Sequence, residues 1–372
     1  MASIKVDNIN RNMLVWAYQR AGFDEEKATE VFPELTLWLS NEKVPTLSKL
    51  QKFADKFHVP FGYLFLQQAP DENIPFPMFR GEAGRSNHFD LDVFDIAMNI
   101  LNRQEWLKEY LVNNGIETCR FVGSINQGTP VNETVSRLRD ILELEPRWTF
   151  GLRSHDVAVN ILTQRLEDAG VFLTFSGIVG NNTHRKLNVE QCRGFTLVND
   201  IAPYIYINSS DSKSAQMFTL IHEVAHLLLG ISAGHAGEDI TYNDANELYC
   251  NKVAAEFLVP MNELEQIWNK DIKFAAKKFK VSEIVVARRA HDLGLLSDSE
   301  YRTFWMQYRM RPINNKKSNG GNFYATSVYR VGRLFAIHIR NAVSERQLSY
   351  TEAYRLTGLH GSTYQYFMTN SI

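Results

Sequence analysis

A run of largely apolar residues near the middle of the chain carries three ionisable side chains, and it constrains the fold more than any other feature. The run FTLIHEVAHLLLGIS occupies residues 218–232, and its ionisable members are His222, Glu223 and His226. Burying a charge or an unpaired polar group is costly unless a partner compensates it. Because the run itself offers no such partner, we expect a bound cation to supply it.

His222 and His226 have the spacing of two ligands of one metal ion. The run predicts a helix over residues 212–229 that ends at Gly230. Residues four apart in a helix lie on one face, so two ring nitrogens can meet one zinc ion at ~2.0–2.1 Å. Glu223 is rotated by about 100° from His222, which suits a general base acting on water at the metal. The alternative is a chance match in which both histidines are ordinary core residues.

A catalytic zinc site also needs a third protein ligand beside an open coordination position. The downstream candidates are His235, Asp244, Glu247 and Glu256. In a helix that begins near residue 245, Glu247 and Glu256 face opposite sides, so only one can point at the site. Glu247 lies on the more apolar face and is the better candidate. The alternative is that Glu247 forms a capping box with Asp244, three residues earlier.

The rest of the sequence predicts an α+β protein with an all-α N-terminal part. Residues 8–67 read as several short helices with prolines at their junctions, and Pro45 suggests the first position of one helix. Three later segments have the aromatic and β-branched character of strands, namely GVFLTFSGI, CRGFTLVND and PYIYINSS. The last of these is a candidate edge strand, which could hold an extended peptide by backbone pairing. The alternative is an ordinary strand beside a helix. A helix is predicted over residues 244–258, and helical segments continue to about residue 310.

Charge, cysteine content and hydropathy exclude several classes of protein. The formal net charge is −2, so no whole-protein field draws the chain to nucleic acid or to a membrane. No apolar run reaches the ~20 residues of a membrane-spanning helix, and the N-terminus lacks a secretory h-region. The three widely spaced cysteines argue against a disulfide framework and for a reducing compartment. We therefore expect a cytoplasmic protein that does not bind membranes.

Several of these segments together resemble the ImmA/IrrE family of zinc metallopeptidases. The resemblance is carried by CRGFTLVND, by APYIYINSSDSKSAQMFTLIHEVAHLLLG and by ELYCNKVAAEFLVP. It implies a zincin-like core, in which a small mixed sheet packs with the HExxH helix. It further implies that Zn²⁺ is held by His222, His226 and Glu247, and that Glu223 is the general base. The implied activity is endopeptidase cleavage of a protein, commonly a transcriptional repressor or regulator, in phage or mobile-element, toxin–antitoxin or stress control.

The resemblance extends to both sides of this core. On the C-terminal side, FKVSEIVVARRAHDLGLLSDSEY and NGGNFYATSVYRVGRLFA resemble the family's usual C-terminal extension. The segments PTLSKLQKFADKFHVPFGYLFL and PFPMFR resemble an XRE-type helix-turn-helix module that is often fused ahead of the peptidase. A Pro-rich connector, QQAPDENIPFPMFRG, suggests a domain boundary. The predicted divisions are a helix-turn-helix module with its connector at 1–80, a helical linking region at 81–160, the metallopeptidase domain with a helical extension at 161–310, and a C-terminal helical segment at 311–372.

Nucleic acid is a second candidate partner. DNA contact is considered through residues 8–67 or through residues 270–289, where seven basic residues stand against two acidic ones. The alternative for residues 270–289 is the solvated face of an amphipathic helix. The alternative function is accordingly a DNA-binding transcriptional regulator or antitoxin-like module whose zincin part is a non-catalytic scaffold. Tyr242 and His235 are weak candidates for stabilising the oxyanion of a peptidase reaction.

Overall fold

The residues that the computed structural model describes are 4–80, 84–85, 90–117, 119–236, 244–311 and 322–372. Residues 78–80, 84–85 and 235–236 are described by their backbone. The chain divides into two units, Met1–Asn73 and Ile74–Ile372. The boundary between the units therefore falls inside the Pro-rich connector, a few residues before the predicted boundary at residue 80.

The first unit is built from short helices around an aromatic core. The α-helices of residues 4–73 are α1 (Arg11–Arg20), α2 (Glu25–Val31), α3 (Glu34–Leu39) and α4 (Leu47–Lys56), and a 3-10 helix follows at Phe61–Phe65. The prediction of several short helices over residues 8–67 is confirmed. Trp38, Phe53 and Phe57 are buried at the centre, where Phe53 packs against the other two rings. The assignment of these helices as a helix-turn-helix module stays a prediction.

Helix α4 begins two residues later than the sequence suggests. Its N-cap is Thr46, whose hydroxyl accepts the Lys49 N–H at 3.4 Å, so Pro45 lies ahead of the helix. The prediction that Pro45 is the first helical residue is wrong. The Pro45 carbonyl instead accepts the Val6 N–H at 2.9 Å, and the neighbouring threonine supplies a side-chain cap that proline cannot.

The second unit contains a six-stranded mixed sheet in the order β2-β1-β8-β6-β7-β3. Its strands are β1 (Met78–Arg80), β2 (Gly84–Arg85), β3 (Phe172–Phe175), β6 (Gly194–Leu197), β7 (Tyr204–Ile207) and β8 (Ala233–Ala236), while β4 (Ile178–Val179) and β5 (Asn182–Lys186) form a separate hairpin. The pairs β3–β7 and β1–β8 are parallel, and the remaining pairs are antiparallel. The three predicted strands are β3, β6 and β7, and the α+β prediction is confirmed.

Strand β7 lies inside the sheet rather than at its edge. Tyr206 faces Thr174 of β3 on one side and Phe195 of β6 on the other, so backbone pairing is used on both sides. Of the two alternatives for PYIYINSS, the edge strand is therefore wrong, and the ordinary strand agrees with this pairing. A peptide cannot pair with β7 while both of its neighbours are in place.

Helices lie on both faces of this sheet. The helices described in the second unit are α5 (Leu91–Asn113), α6 (Val131–Leu142), α7 (His155–Asp168), α8 (Lys213–Leu229), α9 (Ala245–Leu258), α10 (Met261–Ile267), α11 (Ile272–Phe279), α12 (Glu283–Asp292), α13 (Asp298–Arg309), α14 (Phe323–Val331), α15 (Arg333–Ser344), α16 (Tyr350–Thr357) and α17 (Gly361–Asn370). Ile205 and Ile207 of β7 join a core with α8 and α9. Tyr204 and Tyr206 point the other way, into a core with α5 and α15–α17. The segments predicted separately as 81–160, 161–310 and 311–372 thus lie in one unit.

A buried arginine connects α5 to the C-terminal helices. Arg103 is 6% exposed, and its guanidinium donates to the carbonyls of Leu356, Arg330 and Val331 at 3.0, 3.2 and 3.2 Å. These carbonyls lie at the C-terminal ends of α14 and α16, where a helix leaves its acceptors without intrahelical partners. Arg103 therefore caps two helices at once.

None of the helices in the described part of the chain combines the length and apolar character that crossing a membrane requires.

Candidate metal centre

Helix α8 presents the histidines of the apolar run. Ser212 caps its start by accepting the Ala215 N–H at 3.3 Å, and Gly230 ends it with a φ of +71°. A side chain at Gly230 would meet the Cα of Gly123 at 3.1 Å, so both the dihedral angle and the space favour glycine there. The predicted bounds of this helix are confirmed.

The polar groups of the run are buried, as the apolar neighbours in the sequence indicate. His222, Glu223 and His226 are 2%, 0% and 1% exposed. Helix α9 packs along α8 and adds Glu247, which is 0% exposed. Four ionisable side chains therefore share a site that water hardly reaches, and each requires compensation by its neighbours or by an ion.

His222, His226 and Glu247 converge on one point. The Nε2 atoms of the two histidines are 3.1 Å apart. The Glu247 carboxylate places Oε2 at 3.2 Å from His222 Nε2 and Oε1 at 3.0 Å from His226 Nε2. The structure therefore brings together the three residues that were predicted as metal ligands.

This spacing suits a tetrahedral metal ion. With bonds of ~2.0–2.1 Å, two ligand atoms of a tetrahedral zinc ion lie ~3.3 Å apart, and the observed separations are 3.0–3.2 Å. Among the described residues, neither oxygen of Glu247 has a hydrogen-bond partner that satisfies normal geometry, nor does His226 Nδ1. Buried oxygens left in this way fit a cation as their partner, and the group could hold a metal ion.

The electrostatics of the group keep its carboxylate ionised. Burial alone would raise the pKa of Glu247, but the charge and close approach of His222 and His226 outweigh burial and lower that pKa far below its usual range. Burial alone would lower the pKa of His222, yet Glu247 and Glu223 raise it overall. An ionised carboxylate is the form that binds a metal, whereas a protonated His222 would have to lose its proton first.

Glu223 is held by a threonine of the sheet. The Thr196 hydroxyl on β6 donates to Glu223 Oε2 at 2.7 Å, and it also lies 3.0 Å from the Glu223 carbonyl oxygen. Thr196 is fully buried. The sequence gives little indication of this contact, because threonine is a common residue in strands. Its position directly after the Gly-Phe pair of β6 is the one available signal.

Asn251 makes a second contact that was not predicted from the sequence, in this case with His222. Its side-chain oxygen lies 3.0 Å from Nδ1 of His222, which is the ring nitrogen other than the Nε2 that approaches Glu247. Asn251 is four residues after Glu247 on α9, hence on the same face. That spacing is the signal that could have identified it.

The other candidate ligands have different roles or lie outside the description. Glu256 forms an ion pair with Arg289 of α12. Asp244 is the N-cap of α9 and accepts the Asn246 N–H at 2.9 Å, so the alternative in which Glu247 serves as a capping-box residue is wrong. Tyr242 lies outside the described residues, as does the side chain of His235.

The basic residues of 270–289 are partly engaged within the protein. Arg289 pairs with Glu256 and also donates to the Val259 carbonyl at 3.1 Å. Lys280 is buried and donates to the Lys277 carbonyl at 2.6 Å. These contacts reduce the positive charge that the segment presents to solvent. DNA contact through this segment or through residues 8–67 stays a prediction.

Metal addition should stabilise the protein. A divalent ion such as Zn²⁺, at 100-fold its Kd, adds about 2.7 kcal/mol by mass action, which corresponds to a rise in Tm of about 5 °C for a unit of this size. We expect this rise for the wild type and not for His226→Ala. The exposed His184→Ala is the matched control and should keep the rise. A Tm that excess Zn²⁺ leaves unchanged in the wild type would contradict a metal site.

Comparison with known proteins identifies two regions of the chain. Residues 166–291 match the family model of the IrrE N-terminal-like domain (Peptidase_M78), and residues 331–370 match a domain of unknown function (DUF8813). No curated protein matches the chain. The first match contains α8 and α9, and with them His222, His226 and Glu247. Together with the geometry of that buried group, the match supports a zincin-like metallopeptidase domain of the ImmA/IrrE family within residues 166–291.

Proposed function

We propose that this protein is a zinc-dependent endopeptidase. The observation that carries the proposal is the group His222–His226–Glu247, whose donor atoms have tetrahedral spacing beside the buried carboxylate of Glu223. Two imidazoles and one carboxylate form the ligand set of catalytic zinc sites in peptidases. Calcium and magnesium prefer sites made of oxygen alone. The donor set therefore favours zinc.

Glu223 has the chemistry of the general base in this reaction. When bound, zinc supplies Lewis acidity, which polarises the scissile carbonyl and lowers the pKa of water at the site. Glu223 takes a proton from the attacking water and returns it to the leaving amine. The hydroxyl of Thr196 fixes the orientation of the Glu223 carboxylate, so the base does not have to be ordered during the reaction.

The substrate that we propose is a protein, in particular a transcriptional repressor or regulator. The resemblance to the ImmA/IrrE family favours this class, within phage or mobile-element, toxin–antitoxin or stress control. Because β7 pairs with β6 on one side and β3 on the other, a substrate peptide does not bind by adding to that strand. The proposed zinc ligands lie on two helices, α8 and α9, so we expect the scissile bond to approach these helices rather than the centre of the sheet.

Glu223→Gln should retain zinc and lose proteolysis. The amide keeps the shape of the side chain but cannot accept a proton, and loss of a general base lowers rates by about 10²–10⁴-fold. The measurement is zinc content by mass spectrometry, beside a search for new protein N-termini in a lysate of the native host after addition of each variant. Exposed Glu190→Gln is the matched control and should cleave like the wild type.

Two outcomes would contradict the proposal. Cleavage by Glu223→Gln at the wild-type rate would remove Glu223 as the base. A wild type that binds zinc yet produces no new N-termini in that lysate would favour the alternative of a regulator with a non-catalytic zincin scaffold.

A further inference from the structure

We propose that Asn251 is a positioning residue, which fixes the tautomer and the ring orientation of His222 for metal binding. The inference rests on the proposed role of His222 as a metal ligand. It deepens the proposed function by adding a residue that contacts a ligand and not the metal. Nothing in the HExxH pattern itself points to this residue, which lies on the neighbouring helix.

The two nitrogens of His222 face different partners. Nε2 points to Glu247 Oε2 at 3.2 Å and to Nε2 of His226 at 3.1 Å, which is the side of the metal site. A nitrogen that binds a metal must offer its lone pair, so the proton of the neutral ring belongs on Nδ1. That proton needs an acceptor, and Asn251 Oδ1 lies 3.0 Å from Nδ1. His222 is 2% exposed, so bulk water does not replace this acceptor.

One helix supplies both the third ligand and this acceptor. Glu247 and Asn251 are four residues apart on α9, so their side chains leave the same face about one turn from each other. The carboxylate meets Nε2 of His222 and the amide meets its Nδ1. The imidazole ring is therefore held at both nitrogens by a single rigid element.

The second histidine is held differently. Nδ1 of His226 is buried and has no hydrogen-bond partner among the described residues. Asn251 therefore acts on one of the two imidazoles, and its loss should change the environment of His222 while leaving that of His226 as it is. This asymmetry gives the inference a residue-specific signature.

The choice of an amide over a carboxylate follows from charge. Two neutral imidazoles and the Glu247 carboxylate leave a divalent ion with one uncompensated positive charge, which the buried Glu223 carboxylate balances. A carboxylate at position 251 would add a third buried carboxylate to a site whose charges are already balanced. Asn251 accepts the Nδ1 proton without adding charge.

The test compares Asn251→Leu with Asn251→Asp, and Asn246→Leu on the same helix is the matched control. Zinc affinity is measured by competition with a chromophoric chelator, and the Nδ1 proton of His222 is followed by NMR in the zinc-loaded protein. We expect Asn251→Leu to weaken zinc binding by about 10- to 100-fold, as loss of an outer partner of a ligand does. The same variant should expose the His222 Nδ1 proton to rapid exchange, with little change in the Tm of the metal-free protein.

Asn251→Asp keeps an acceptor at the same place and should restore the protected proton, together with most of the zinc affinity. Asn246→Leu should bind zinc like the wild type. The proposal is overturned if Asn251→Leu binds zinc as tightly as the wild type. It is equally overturned if both Asn251 variants lose affinity in parallel with a lower metal-free Tm, which would indicate a packing role.

These measurements involve no peptide, so they separate this inference from the proposed function. Weakened zinc binding in Asn251→Leu, combined with a wild type that cleaves nothing, would keep the positioning role and reject the endopeptidase. Normal zinc binding in Asn251→Leu, combined with Glu223-dependent cleavage, would reject the positioning role alone. A wild type that binds no zinc would overturn both.

Discussion

Replacing Glu247 with glutamine should reduce zinc affinity by more than ~100-fold, which exceeds the cost of losing an outer partner of a ligand. The carboxylate is fully buried and lies 3.0 and 3.2 Å from the ring nitrogens of His226 and His222. A neutral amide has the same shape but is a much weaker ligand for zinc, and it leaves a buried divalent ion less compensated. The measurement is zinc competition with a chromophoric chelator on purified protein.

The matched variant is Glu256→Gln, since Glu256 lies nine residues further along the same helix. Glu256 pairs with Arg289 rather than with the histidines, so this variant should keep wild-type zinc affinity. It should instead lower the Tm, because the half-buried Arg289 loses its ionic partner. Equal zinc affinity in Glu247→Gln and the wild type would remove Glu247 from the ligand set.

Replacing Arg103 with methionine should lower the free energy of unfolding by about 3 kcal/mol or more, because hydrogen bonds to a charged donor are lost and buried carbonyls remain unpaired. Three carbonyls at the ends of α14 and α16 accept from this guanidinium, which also lies over the ring of Phe335 at 5.3 Å. Methionine fills similar space but donates to none of them. The measurement is denaturant unfolding followed by tryptophan fluorescence, since Trp106 packs against Phe335.

Two further variants define the cause of that loss. Arg103→Lys keeps the charge but not the planar set of donors, so its stability should fall between those of wild type and Arg103→Met. Arg137→Met removes an exposed arginine paired with Glu133 and should cost ~0.5 kcal/mol or less. If Arg103→Met unfolds at the wild-type denaturant concentration, the guanidinium does not stabilise the junction of these helices.

The site was predictable to the extent that it depends on local spacing. The positions of His222, Glu223 and His226 follow from helical geometry within a single run, and the apolar face of α9 favoured Glu247 over Glu256. Thr196 and Asn251 were missed as contacts because each meets the site through a hydrogen bond between separate elements. The spacing of Asn251 from Glu247 places it on the same helical face, but spacing alone does not show that its amide meets His222.

The error about the position of β7 has the same origin. The place of β7 in the sheet depends on pairing with β3 and β6, and β1 pairs with β8 across more than 150 residues of sequence. Strand character can be read from a segment, whereas strand order cannot. Likewise, a count of basic residues over 270–289 includes Arg289 and Lys280, whose contacts lie within the protein.

The burial of both faces of β7 has a consequence for folding during synthesis on the ribosome. Tyr204 and Tyr206 are covered by a core to which Phe335, Ile339 and Phe367 belong, and these residues are translated more than a hundred positions later. Until they emerge, α5 is the helix of this core that is already available, so part of the aromatic surface of the nascent sheet stays exposed, which is the kind of surface that chaperones bind. An isolated segment 166–291 would lack both α5 and the C-terminal helices of that core. We therefore expect the peptidase-like region to need the helices that precede and follow it for its stability.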